Sequence, residues 1–92
     1  MYAKKIKMRS GKENSNDLLE IDSIYVDGCN NPGFFKKDVL HKFLKKYPGS
    51  VKVYRVPYPD LVPATSINGE LYVKSVPDNT RRDNLLSLPR ED

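Results

Sequence analysis

The chain reads as a small α+β domain, in the order strand, helix, strand, hairpin, with one amphipathic helix on one face of a three- or four-stranded sheet. Three observations predict it. Apolar residues recur at helical spacing from Phe35 to Tyr47. Short runs rich in β-branched and aromatic residues flank that stretch, at 20–27 and 50–56. Near the end, Asn68-Gly69 separates two further apolar runs, and Asn-Gly tolerates the positive backbone angles of a tight hairpin turn. At 92 residues and 10.6 kDa there is room for one core only, burying roughly 60 to 65% of the surface of the unfolded chain. Large cofactor-carrying enzyme folds do not fit, and no cofactor is expected.

Taken in order, residues 1–17 carry few apolar groups and then a Ser/Gly/Asn/Lys/Glu stretch, and they read as a basic flexible arm and linker before a domain at 18–92. In the first strand Leu19, Ile21 and Tyr25 share one parity and Ile24 and Val26 the other, so both faces are covered at least in part. Asn31-Pro32 is a helix-start signal, because the Asn oxygen can accept from a free amide and proline fits the first turn. The helix presents Phe35, Val39, Leu40, Phe43, Leu44 and Tyr47 on one face and Lys37, Asp38, His41, Lys42 and Lys45 on the other, ending before Pro48-Gly49. Its length permits a right-handed parallel crossover between the strands it joins, and an antiparallel pairing stays open. Residues 57–63 hold three prolines and read as an extended loop, followed by the hairpin at 64–76. After Pro77 and a polar turn, Leu85, Leu86 and Leu88 are too apolar for a solvated terminus and are expected to close an open side of the core.

The net charge of +4 is unevenly spread. Residues 1–12 hold five bases and no acid, 13–33 five acids and no base, 34–47 five bases and one acid, and the remainder is balanced. Basicity therefore belongs to the arm and the helix, and the whole-chain pI of about 9.2 is no argument for nucleic-acid binding by the folded body. Lys4, Lys5, Lys7 and Arg9 with Lys37, Lys42 and Lys45 are the candidate phosphate contacts, and Tyr54, Tyr58 and Tyr72 could stack on bases. The alternative is that the lysines are the solvated face of an amphipathic helix. Tyr58, Leu61 and Val62 form an apolar, proline-stiffened segment that either covers a sheet edge or docks a protein partner.

Catalytic signals are weak. Cys29 precedes the helix start, where the helix dipole favours a thiolate, but His41 stands roughly 13 Å further along the axis, so the two cannot meet within one helix. One Cys and one His make no metal set of the usual spacing, and no two aspartates are spaced to act together. One cysteine also forms no intrachain disulfide, and no apolar run has the length of a bilayer span or signal core, so a cytoplasmic protein without membrane contact is expected.

Tyr72-Val73-Lys74-Ser75, a polar turn and Asp83-Asn84-Leu85-Leu86-Ser87-Leu88-Pro89-Arg90 resemble the closing signature of a family of small bacterial and archaeal proteins, the domain of unknown function 3892. Ile21 to Val26 looks like that family's first strand, and the resemblance spans about residues 20–90. It implies a fold and no activity, so no functional residue carries over. The expected role is that of a non-enzymatic interaction module with a protein partner, the alternatives being weak nucleic-acid binding and, less in keeping with the residues, an enzyme using Cys29.

Overall fold

The computed structural model describes residues 1–76 and 84–91. The elements are β1 (Tyr2–Met8), β2 (Ile21–Asp27), β3 (Gly33–Lys36), α1 (Lys37–Lys46), β4 (Lys52–Val53), β5 (Leu61–Thr65), β6 (Leu71–Ser75) and β7 (Arg90–Glu91), with short 3-10 turns at Leu18–Glu20 and Asn84–Ser87. The main sheet has the order β3-β2-β1-β4, and β7 pairs with β1 beyond the end of β4; β5 and β6 form a separate hairpin. This is a small mixed-sheet α+β domain. No helix of the described residues is long and apolar enough to cross a membrane.

Residues 1–17 are not a flexible arm. Tyr2–Met8 is the middle strand of the sheet, antiparallel to β2 and parallel to both β4 and β7. Its lysine pair breaks strict alternation, and a register shift between Ala3 and Lys5 absorbs the extra residue, so that Ala3 and Ile6, three positions apart, both face the core. The segment that follows is also held: the Arg90 guanidinium donates to the carbonyls of Glu13 and Ser15 at 2.8 and 2.7 Å, and the Asp17 side chain caps the first 3-10 turn. Because β1 lies between β2 and β4, the two strands read from the sequence as flanking the helix are not neighbours.

The helix begins later than Asn31-Pro32 suggests. Phe34 and Phe35 alternate outward and inward as part of β3, which pairs with β2 from Gly33 to Lys36. The face of α1 is also rotated from the expected one: Lys37, Leu40, His41 and Leu44 are buried, whereas Val39 and Tyr47 are half exposed at 52% and 50%. The cause is the hairpin, against which α1 packs along β5 and β6. It brings polar partners to the helix, since His41 Nδ1 lies 2.9 Å from the Tyr72 carbonyl and Lys37 Nζ reaches the Leu19 carbonyl and the Glu70 carboxylate. With those bonds made, burying two polar side chains is tolerable.

Of the strand expected at 50–56 only Lys52 and Val53 pair; Tyr54 and Val56 are exposed in the turn that follows, where Tyr58 adopts a φ of 61°. β5 starts at Leu61, inside the proline segment; its first amide donates to the Val51 carbonyl, but among the described strands β5 pairs with β6 alone, so Pro63 is accommodated at an edge. The hairpin forms as expected, but its turn is Ser66–Gly69, in which Gly69 takes a φ of 84° and donates its amide to the Ser66 carbonyl while Asn68 keeps a negative φ. Leu85, Leu86 and Leu88 are buried in the same core as Ala3, Ile6, Ile24, Leu40 and Leu44. The polar turn Asp78-Asn79-Thr80-Arg81-Arg82-Asp83 lies outside the described residues.

Candidate functional site

The core-facing residues of β1 and β2 leave the opposite side of the sheet to solvent, with α1 packed across the core from it. On that outer side the strand register places Phe34 of β3 beside Tyr25 of β2, and Tyr25 beside Lys5 of β1. The Phe34 and Tyr25 rings meet edge to face at 5.4 Å, and the Lys5 ammonium lies 5.6 Å from the Tyr25 ring centre. One step along, Tyr2 pairs with Asp27 on one side and Lys52 on the other. Lys4, the residue at the register shift, reaches across to Asp27 at 3.0 Å while its ammonium stands 4.9 Å from the Tyr54 ring centre.

Tyr2, Tyr54 and Tyr58 complete the band. Their rings contact one another at centroid distances of 5.4, 6.3 and 5.8 Å. All three remain between 40% and 51% exposed, and Phe34 is 38% exposed, so these rings are wet and not core. Five aromatic rings thus run across the sheet with Lys4 and Lys5 set between them.

Three ion pairs brace this face: Lys4 with Asp27, Lys36 with Asp22 at 2.9 Å, and Lys52 with Asp60 at 2.6 Å. The hydrogen bonds from Lys4 and from the Gly28 amide hold the Asp27 carboxyl below its usual pKa, and the Asp27 bond raises that of Lys4. The Lys36 hydrogen bond likewise lowers Asp22. Lys5, Lys7 and Arg55 have no carboxylate within ion-pair distance among the described residues, although Glu91 lies opposite Lys7 in the register.

The structure separates the residues that the sequence grouped. Lys4, Lys5 and Lys7 come together on the sheet. Arg9 is tied instead to Glu70 and Glu20, and Lys37 is a buried partner of Glu70, whose carboxyl that bond lowers, so Lys37 is no phosphate contact. Lys42 and Lys45 are exposed on α1, on the far side of the domain. Leu61 is fully buried and cannot dock a partner; Val62 is half buried in β5; only Tyr58 of that trio is on the open face. Tyr72 is half buried beside His41 and takes no part in the band. Tyr2, Tyr25 and Phe34 are the site residues that sequence reasoning missed, and the signal available was the alternation Tyr2, Ala3 and Ile6, Lys7 within β1.

Cys29 is free and half buried, on the wall of an apolar cavity of about 150 Å³ formed with Met1, Val26, Phe35, Leu40 and Phe43. The His41 ring bonds the hairpin and does not line that cavity. Among the described residues no three His, Cys, Asp or Glu side chains could hold a metal ion.

A family model described as a protein of unknown function, DUF3892, matches residues 4–89. The match runs from β1 to the leucine tail, and so includes the strand that supplies the lysines of the open face. No curated protein and no solved structure matches the chain.

Proposed function

The chain belongs to the DUF3892 family, and we propose that it is a cytoplasmic binding module, acting without catalysis through the open face of its main sheet. The observation that carries this reading is the band of four exposed rings, Phe34, Tyr54, Tyr2 and Tyr58, joined by the partly buried Tyr25 and interleaved with Lys4 and Lys5. Cross-strand ring pairs add a little stability of their own, but contiguous exposed apolar surface with polar groups around it is what partners bury. The rings are held in place by one another and by the strands beneath, so little side-chain freedom is lost on binding. A face spread over four strands suits an extended or macromolecular ligand better than a small molecule, which takes a concave site.

Site-specific photocross-linking tests it. With p-benzoylphenylalanine in place of Phe34, Tyr54 or Lys45, irradiation in cells is expected to give adducts from the first two positions and none from the third. Adducts from the Lys45 position alone would put the binding surface on α1 and overturn the reading.

A further inference from the structure

We infer that the ligand of the open sheet face is single-stranded nucleic acid, an inference that rests on reading that face as the binding surface. Lysines sit among the rings, where the core of a protein-binding patch is depleted of them. A nucleic-acid strand has a use for both groups at each step, because every base has a π-face to stack on a ring and every phosphate a charge to neutralise. Lys5 and Lys7, which make no ion pair among the described residues, are the available cations, and Tyr2, Phe34 and Tyr54 are exposed rings on which bases can stack.

The width of the face matches. Three strands at about 4.8 Å spacing carry Phe34, Tyr25 and Tyr2 over roughly 10 Å, and the turn after β4 adds Tyr54 and Tyr58, room for two or three unstacked bases. A duplex hides its base faces and would offer this flat surface only its phosphates, so single strands are preferred. The sheet also separates this site from the lysines of α1. Lys42 and Lys45 lie across the core and cannot follow the same short strand.

Fluorescence anisotropy with a labelled oligouridylate or oligothymidylate of about 12 nucleotides tests the inference on the full chain. The single strand is expected to bind more tightly than a duplex of the same length. If Lys5 and Lys7 each neutralise one phosphate, affinity should fall roughly sevenfold between about 50 and 200 mM salt. Tyr54→Ser and Lys5→Glu, both on exposed side chains, should each weaken binding by about tenfold with unchanged circular dichroism, while the Lys42→Glu/Lys45→Glu double variant stays within about twofold of the parent. No anisotropy change at low salt, tighter binding of the duplex, or an equal loss from the helix variant would overturn it. Absence of oligonucleotide binding with cross-links still confined to positions 34 and 54 would remove the nucleic acid and leave the binding face, whereas cross-links from position 45 would remove both.

Discussion

Ile6→Ala is expected to destabilise the protein by about 2–5 kcal/mol, and removal of residues 1–9 to abolish its cooperative melting transition. Ile6 is fully buried, pairs with Ile24 of β2, and on its other edge donates its amide to the Pro89 carbonyl at 3.0 Å. Deleting its outer carbons leaves a cavity in the middle strand, where neighbours on both sides limit collapse. Truncation does more, because among the described residues β1 is the only strand of the main sheet that joins β2 to β4 and β7. A small domain is stable by only about 5–15 kcal/mol, so losing its central strand exceeds what the remaining contacts can sustain. Urea titration of the variant and thermal scans of the truncated chain measure both effects. Parent-like melting of the truncated chain would mean that residues 1–9 do lie outside the fold.

Leu85→Ala is expected to cost about 2–5 kcal/mol as well, and ending the chain after Asn84 more than that. Leu85 is fully buried and Leu86 and Leu88 are each 4% exposed. The 3-10 turn aims them inward: the Leu88 amide donates to the Leu85 carbonyl, and the next residues run on as β7 along the C-terminal half of β1. Truncation therefore removes apolar burial and also strips β1 of its backbone partner at Ile6. Amide exchange provides a second readout, since Leu88 and Ile6 should be protected in the free protein. Rapid exchange at both, with an unshifted melt of the truncated chain, would make the tail a loose peptide.

The parts of this architecture legible in the sequence are those set by local chemistry. Asn68-Gly69 demands a tight turn, Ile21 to Val26 fits no solvated structure, and three leucines in four positions call for a core. β1 escaped because one extra lysine at the register shift hides the alternation of Ala3, Ile6 and Met8, and because adjacent lysines resemble an unstructured basic tail. The phase of α1 escaped for a different reason. His41 and Lys37 are buried by Tyr72 and Glu70, partners 31 and 33 positions away, and nothing within the helix announces them. The aromatic band is more remote still, since Tyr2, Tyr25, Phe34, Tyr54 and Tyr58 belong to separate segments and meet only through strand register.

The most direct measurement is a titration of the same oligonucleotide into uniformly ¹⁵N-labelled protein, followed amide by amide. Binding at the open sheet face predicts that the largest shifts fall on Tyr2, Lys5, Lys7, Tyr25 and Phe34 and on the turn from Tyr54 to Tyr58, with α1 unmoved. Shifts centred on Lys42, Lys45 and Lys46, with the strand amides unchanged, would contradict it.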